Sequence, residues 1–237
     1  MIIDAHTHIG ADLDMQRQDL GSLQANMRKY GIDKAIVFPF NEQGNLVKAS
    51  LRILQHSSKS ILPFLRFDPK TMTARELQTL LDENDFYGVK LHTRSQDFNP
   101  LSRRYFPLYE VIEDHGIPLL FHTRKEKNRN SDPDRVVMLA KHFSNLNIII
   151  GHFAAASHVA FDEIQKRKNL FVETSIFSSN YLINHVSRKI GSNKVLFGSD
   201  APYSDQEIEL LKVMKSGLGK KDMDRILWKN AARLLNV

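Results

Sequence analysis

The chain has 237 residues, no cysteine and a single tryptophan. Without cysteine it forms no disulfide, offers no thiolate to a metal ion and has no cysteine nucleophile. No stretch approaches the ~18 consecutive apolar residues of a membrane span. The N-terminus also lacks the basic segment and apolar core of a secretion signal. We therefore expect a cytoplasmic protein without membrane contact, in which His, Asp, Glu or a modified Lys must bind any metal ion.

The chain also lacks a concentrated patch of positive charge, although its net charge is +6. The basic residues are scattered, except for a run at residues 124–129 that contains no aromatic residue. Nucleic-acid binding usually needs a basic surface and often stacking side chains, so we predict no nucleic-acid partner. The net charge instead favours a small anionic substrate.

Apolar runs alternate with helical patterns along the whole chain, without a linker or a low-complexity segment. Strands are predicted at residues 1–6, 34–39, 61–67, 87–92, 117–122, 147–152, 170–175 and 194–199. Helix starts are predicted at two capping boxes, Thr73–Glu76 and Ser204–Glu207, and at Asp132 before Pro133. Eight such units predict an α/β fold, a (β/α)8 TIM barrel, with residues 1–237 forming a single domain.

The first predicted strand carries a His-x-His pair, His6 and His8. Side chains two residues apart point to the same side of a strand, so both imidazoles can reach one point. Imidazole is a common ligand for zinc, iron, copper and nickel. The pair therefore indicates a metal site close to the N-terminus.

Three later apolar runs end in a further metal-competent side chain: His122, His152 and Asp200. Active sites of (β/α)8 barrels lie at the C-terminal ends of the strands, so these residues should converge with His6 and His8. Gly151 and Gly198 lie just before two of them and would allow a close backbone approach.

Several motifs together resemble the amidohydrolase superfamily, and within it the amidohydrolase-2 branch. They occur in the expected order: Asp4-Ala5-His6-Thr7-His8, Gly88-Val89-Lys90-Leu91-His92, Gly116–Thr123, Gly151-His152, Leu196–Pro202 and Ile226–Leu235. That branch contains metal-dependent hydrolases and metal-dependent decarboxylases of aromatic or unsaturated carboxylic acids.

The resemblance implies that His6, His8, His122 and Asp200 bind one divalent metal ion. It also implies that His152 polarises the substrate or contacts a second metal ion. A metal-bound water needs a carboxylate to take its proton, and Asp200 fits this role as general base and proton shuttle. Zinc suits this ligand set, and manganese, iron or cobalt fit the same geometry. A carbamylated Lys90 bridging two metal ions is the alternative, because some superfamily members use a lysine on the fourth strand in this way.

The preferred function is hydrolysis of a C–O or C–N bond in a small anionic substrate by a metal-activated water. The alternative is decarboxylation on the same scaffold. A deoxyribonuclease-like enzyme is disfavoured because the segment at residues 88–92 lacks a bridging glutamate, and a non-catalytic protein because every ligand position is filled. Substrate contacts are predicted for Arg66, Lys90, His92 and Arg94, and a homodimer is an open possibility.

Overall fold

The computed structural model describes residues 1–12, 15–41, 44–125 and 130–237. Its described strands form one curled sheet in the order β2-β1-β3-β4-β5-β6-β7-β8-β9. All neighbours in the sheet are parallel except β2, which pairs antiparallel with β1. The strands are β1 (Ile3–Ala11), β2 (Arg17–Gln18), β3 (Lys34–Pro39), β4 (Ile61–Arg66), β5 (Gly88–Leu91), β6 (Leu119–Phe121), β7 (Ile148–Ile150), β8 (Leu170–Glu173) and β9 (Val195–Leu196).

Helices connect successive parallel strands, as the alternating pattern predicts. The helices are α1 (Leu20–Tyr30), α2 (Leu46–Leu54), α3 (Ala74–Asp82), α4 (Phe106–Asp114), α5 (Pro133–His142), α6 (His158–Lys166), α7 (Asn180–Ile190), α8 (Gln206–Met214), α9 (Lys220–Asp224) and α10 (Asn230–Leu235). Short 3-10 turns cover Arg103–Tyr105 and Ser192–Lys194, and a π-helical turn covers Arg225–Lys229. No helix in the described part of the chain is long and apolar enough to cross a membrane.

All eight predicted strands are present, with ends that differ by a few residues. The prediction missed β2, which pairs with the end of β1 and makes β1 longer than expected. The capping box at Thr73 and the cap at Asp132 are present. The box predicted from Ser204 is wrong: Asp205 caps α8, and the Ser204 hydroxyl donates to Glu209 instead. A carboxylate one residue closer to the helix accepts the free N–H groups in its place.

Both faces of the strands are buried, which explains why they read as continuous apolar runs. Along β3, Ala35 and Val37 pack in the larger cluster against the helices. Ile36 and Phe38 belong to a second cluster inside the curled sheet, which α10 also joins through Ala231. Complete burial of one such aliphatic or aromatic side chain contributes about 1.5–3 kcal/mol.

The first strand and the segment after the last strand are hydrogen-bonded through their backbones. The N–H of Ala5 donates to the carbonyl of Phe197 at 2.8 Å, and the N–H of Asp200 donates to the carbonyl of His6 at 2.8 Å. These bonds bring residues from the two ends of the sequence side by side. The His-x-His pair and Asp200 are therefore neighbours although about 190 positions separate them.

Candidate active site

The C-terminal ends of the parallel strands bring His6, His8 and Asp200 together. Nε2 of His6 lies 2.9 Å from Oδ1 of Asp200, and Nε2 of His8 lies 3.0 Å from the same oxygen. All three residues are buried. Their ligand atoms lie within 4.8 Å of one another, so this group could hold a metal ion. The structure thus brings the His-x-His pair of the first strand together with Asp200.

The donor atoms around this group fit a divalent cation. Nδ1 of His6 lies 3.0 Å from Oε1 of Glu173, a carboxylate that fixes the ring with its Nε2 toward Asp200. A carboxylate behind a histidine is a common arrangement in metal sites, because it orients the ring and strengthens the ligand. Nε2 of His122 is buried nearby and has no hydrogen-bond partner in the described part of the chain.

His122 and His152 form a second histidine pair beside this group. Nε2 of His152 lies 2.8 Å from Nδ1 of His122, and Nδ1 of His152 lies 2.8 Å from the hydroxyl of Ser175. The ring of His92 stacks on that of His122, with 3.7 Å between centroids. His122 is not among the residues whose ligand atoms cluster with His6, His8 and Asp200, whereas His152 groups with His6 and Glu173.

Lys90, predicted to contact substrate, lies at the centre of the site. Its Nζ is 3.2 Å from Nε2 of His6, and the residue is fully buried. Burial, with a contribution from the Arg66 guanidinium, lowers the pKa of Lys90 to about 7. A neutral lysine side chain can lie next to a bound metal ion without strong electrostatic repulsion.

The carboxylates of the site are ionised and most of its imidazoles are neutral. Burial opposes ionisation of Glu173, but His6 and the backbone N–H of Ser175 lower its pKa to about 2. Likewise, against the effect of burial, His6 and His152 hold the pKa of Asp200 well below its usual range. Burial lowers the pKa of His8 to about 3 and that of His152 to about 4. Neutral imidazoles and charged carboxylates are the forms that bind metal ions.

Glu173 was missed by the sequence analysis, although it is one of the best-connected residues in the site. It ends β8, and its carboxylate accepts from the N–H of His152 at 2.6 Å and from the N–H of Ser175 at 2.6 Å. The signal was present, because Leu170-Phe171-Val172-Glu173 is another apolar run that ends in a metal-competent side chain. The same rule that selected His122 and Asp200 also selects Glu173.

Two glycines make room for Glu173. A Cβ atom on Gly198 would lie 2.5 Å from Oε2 of Glu173, and one on Gly151 would lie 2.7 Å from the carbonyl oxygen of Phe121. Both distances are shorter than real Cβ contacts, so another side chain at either position must displace the site. The close approach predicted at these glycines is therefore present.

Replacing Gly198 by Ala is expected to displace Glu173 and to lower stability by about 1–3 kcal/mol, because the added methyl group overpacks a buried carboxylate. Thermal and denaturant unfolding measure this change. Gly21→Ala is the matched control, since its Cβ would meet only Oδ1 of Asp19 at an ordinary 3.5 Å. Equal stability of the two variants would contradict the tight packing of Glu173.

A second buried carboxylate supports the segment that carries Asp200. Asp4 accepts from the N–H of Ser199 at 2.9 Å, from the hydroxyl of Ser199 at 2.6 Å and from the amide of Gln206 at 2.8 Å. Burial raises the pKa of Asp4 to about 6, although these hydrogen bonds oppose the increase. Asp200 itself has a φ of 61°, a left-handed conformation that non-glycine residues seldom adopt. The Asp4 hydrogen bonds stabilise this unfavourable turn.

A left-handed segment follows β7. Five consecutive residues from His152 to Ala156 have φ between 47° and 57°. A left-handed helical conformation costs about 1–2 kcal/mol per residue for L-amino acids, so tertiary contacts must hold it. The buried side chain of Phe153 and the bond from the N–H of His152 to Glu173 supply such contacts. The turn directs the ring of His152 toward His122.

A cavity of about 790 Å³ opens above the metal-competent group. This volume lies within the range of small-molecule sites. Tyr203 bonds Asp12 across its rim. The lining residues are His8, Asp12, Asn41, Arg66, Lys90, His92, Arg94, Ser95, His122, Thr123, Arg124, His152, Ala155, Ile176, Phe177, Asp200 and Tyr203.

Every predicted substrate-binding residue lines this cavity, but in different ways. Arg66 is buried and donates from Nη1 to the carbonyl of Pro39 at 2.9 Å, whereas Arg94 is exposed at the rim. Nδ1 of His92 accepts from the N–H of Ser95 at 3.1 Å. Most of the basic run at residues 124–129 lies outside the described residues, which here end at Lys125.

Comparison with known proteins identifies the family. A model of the amidohydrolase-2 family, described as Amidohydrolase, matches residues 3–237. The chain therefore belongs to this amidohydrolase family. No curated protein sequence matches the chain significantly.

Solved structures share the fold over nearly the full length of the chain. A 5-carboxyvanillate decarboxylase from Sphingomonas paucimobilis is 15% identical with a TM-score of 0.81, covering 100% of this chain and 99% of that chain. A dihydroxybenzoic acid decarboxylase from Polaromonas sp. JS666, with bound manganese and an inhibitor, is 16% identical with a TM-score of 0.74, covering 99% and 96%. A probable 2-pyrone-4,6-dicarboxylic acid hydrolase from Acinetobacter baumannii, with citric acid bound, is 15% identical with a TM-score of 0.76, covering 100% and 99%. At these identities the likeness shows the fold.

Proposed function

We propose that the protein is a metal-dependent decarboxylase of a small, planar carboxylic acid, aromatic or unsaturated. The observation that carries the proposal is the cavity above the His6, His8 and Asp200 group, whose lining includes Arg66, Arg94 and Arg124. Guanidinium groups suit a carboxylate, and the stacked rings of His92 and His122 offer a flat surface to a planar substrate. Several similar structures are decarboxylases of aromatic acids, which supports this choice over the hydrolase favoured by the sequence analysis.

In this proposal His6, His8 and Asp200 hold one divalent ion. His122, whose ligand atoms lie outside that cluster in the structure, would supply a further imidazole from Nε2. Zinc suits three imidazoles and a carboxylate, and manganese, iron or cobalt fit the same donors. Manganese is bound in two of the similar structures. When bound, the ion supplies a Lewis acid that polarises the substrate.

The protein residues position the acid and handle the proton. Arg66, Lys90, His92 and Arg94 bind and orient the anionic substrate. The bond between the carboxylate carbon and the unsaturated carbon breaks, the carboxylate group leaves as carbon dioxide, and the electron pair stays on the unsaturated carbon. Asp200, which is ionised, takes up one proton from solvent and delivers it to that carbon. A role for His152 in polarising the substrate stays a prediction, because both of its ring nitrogens contact protein groups in this structure.

Hydrolysis of an ester, lactone or amide is the second candidate. The observation that favours it is the ionised Asp200 carboxylate next to two imidazole ligands, because this arrangement can take a proton from a water molecule. Asp200 would then act as general base, and His152 would act as oxyanion stabiliser only with a proton on its Nε2. The two reactions use the same residues and differ in the fate of water.

Product analysis separates the two reactions. We expect carboxyl-labelled hydroxybenzoic acids to release labelled carbon dioxide, with one solvent hydrogen and no solvent oxygen in the aromatic product. Mass spectrometry in deuterated water and in ¹⁸O water measures both atoms. Entry of ¹⁸O into the product of a lactone or ester, with no carbon dioxide from any acid, would establish the hydrolase and reject the decarboxylase.

Replacing Arg94 by Ala is expected to raise KM for an acidic substrate about tenfold. A hydrogen bond to a charged group contributes about 1.5–3 kcal/mol, and the lower end of this range applies to an exposed residue and corresponds to about tenfold. The value of kcat should change less, since Arg94 lies at the rim. Steady-state kinetics measures both constants. Arg75→Ala removes an exposed arginine on α3 and serves as the control. An unchanged KM would remove Arg94 from the substrate site.

Lys90 allows a two-metal alternative, since its Nζ lies close to Nε2 of His6. That alternative requires a carbamylated lysine that bridges two ions. Gentle intact-mass spectrometry detects the added carbamate, and elemental analysis counts the ions. Two ions together with the added mass would replace the single-metal proposal.

We further propose that the curled sheet closes into a (β/α)8 barrel and that residues 1–237 form a single domain. The backbone bonds between β1 and the segment after β9 support closure. A homodimer, a cytoplasmic location and the absence of a nucleic-acid partner stay predictions.

A further inference from the structure

A chain of hydrogen bonds links Glu173 to both histidines of the second pair. The hydroxyl of Ser175 donates to Oε1 of Glu173 at 2.9 Å and also lies 2.8 Å from Nδ1 of His152. Nε2 of His152 then lies 2.8 Å from Nδ1 of His122. This series of hydrogen bonds ends at Nε2 of His122. That atom is buried and has no hydrogen-bond partner among the described residues.

The position of each proton in this chain follows from donor and acceptor chemistry. A carboxylate only accepts, so the single hydroxyl proton of Ser175 is committed to Glu173. The Ser175 oxygen can then only accept from His152, which must carry its proton on Nδ1. A neutral His152 has a lone pair on Nε2, and this lone pair accepts the Nδ1 proton of His122. His122 is left with an unprotonated Nε2.

We propose that Glu173 and Ser175 are positioning residues that hold His152 and His122 in the Nδ1–H tautomer, so that Nε2 of His122 is a lone-pair donor available to a metal ion. The metal-binding consequence rests on the proposed function, whereas the tautomers themselves do not. Glu173 accepts from Nδ1 of His6 as well, so one carboxylate orients residues of both histidine groups.

The contacts of Glu173 agree with this arrangement. Its carboxylate oxygens accept from the N–H of His152 at 2.6 Å, from the N–H of Ser175 at 2.6 Å and from Nδ1 of His6 at 3.0 Å, so this end of the hydrogen-bond series is an acceptor. In a neutral imidazole, the hydrogen bond that one ring nitrogen makes decides which nitrogen can bind a metal ion.

Nitrogen-15 NMR of the histidine rings in the full-length, chelator-treated protein tests the proposal. Protonated and unprotonated ring nitrogens of a neutral histidine have well-separated chemical shifts. In the wild type we expect protonated Nδ1 and unprotonated Nε2 for both His152 and His122. A protonated Nε2 on either ring in the wild type would overturn the proposal without the need for any variant.

Ser175→Ala removes the acceptor of the His152 proton. We expect His152 and His122 to become mixtures of tautomers, while Nδ1 of His6 stays protonated because it contacts Glu173 directly. Ser175→Thr retains the hydroxyl and should restore the wild-type shifts. Ser187→Ala is the matched control, since it removes a buried hydroxyl without a hydrogen-bond partner in the described part of the chain. Unchanged shifts of His152 and His122 in Ser175→Ala would overturn the proposal.

Zinc binding by competition with a chromophoric chelator gives a second measurement. Loss of an outer hydrogen bond typically weakens metal affinity 10- to 100-fold, so we expect about a tenfold loss in Ser175→Ala and little change in Ser175→Thr. Equal zinc affinity of Ser175→Ala and the wild type would contradict the link to the metal site. A wild type that shows both predicted tautomers but binds no zinc would support the positioning role and contradict the proposed metal-dependent function.

Discussion

Replacing His6 and His8 together by Ala is expected to remove the metal ion from the protein. The wild type should contain about one divalent ion per chain, and the double variant should contain almost none, because two of the three clustered ligand groups are gone. Catalytic activity should disappear with the ion. Elemental analysis of the purified proteins measures the metal content, and the product assays measure the activity.

The control for this experiment is a double variant of two exposed histidines, His158→Ala and His185→Ala. It removes the same number of imidazoles from helices away from the site. Equal metal loss in both double variants would show that binding is non-specific. A wild type without metal, even after reconstitution with zinc or manganese, would reject the metal-dependent function and leave only the fold.

Asp200→Asn is expected to lower kcat about a thousandfold, the usual scale for loss of a proton-transfer group. The amide keeps the shape of the side chain but neither carries the proton nor has a carboxylate charge. Steady-state kinetics with the metal-loaded variant measures the loss. Metal content must be determined in parallel, because Asp200 also contacts Nε2 of His6 and of His8.

Asp162→Asn gives the matched control, because this half-exposed carboxylate pairs with Lys189 away from the site. Surface ion pairs contribute about 0–1 kcal/mol, so activity and stability should stay close to the wild type. If Asp200→Asn retained metal and more than about a tenth of the wild-type kcat, Asp200 would be a structural ligand and not the proton shuttle.

Local patterns allowed much of the fold to be predicted. The eight apolar runs became strands because burial on both faces requires continuous apolar sequence, as Ile36 and Phe38 show on one face and Ala35 and Val37 on the other. The cap at Asp132 was predictable because capping depends on the first few residues of a helix. The strand β2 was missed because a two-residue strand has no detectable periodicity.

The candidate site was only partly predictable. His6, His8 and Asp200 were predictable because burying polar side chains at strand ends costs free energy unless they bind a common ligand. Glu173 obeys the same rule, but the strand predicted at residues 170–175 places it inside the strand, whereas the observed strand ends at Glu173. The position of Lys90 against His6 could not be predicted, since it depends on how far the side chains of β1 and β5 extend into the interior of the sheet.

The sequence by itself determined the alternation of strands and helices and the residue types that can bind a metal ion, because these depend on composition and short-range spacing. The tertiary structure alone decided that the His6 carbonyl accepts from Asp200, that Gly198 makes room for Glu173, and that Ser175 connects Glu173 to His152. These contacts join segments far apart in the chain, and only the packing of the curled sheet fixes their distances. Proton positions and ligand directions follow from those distances.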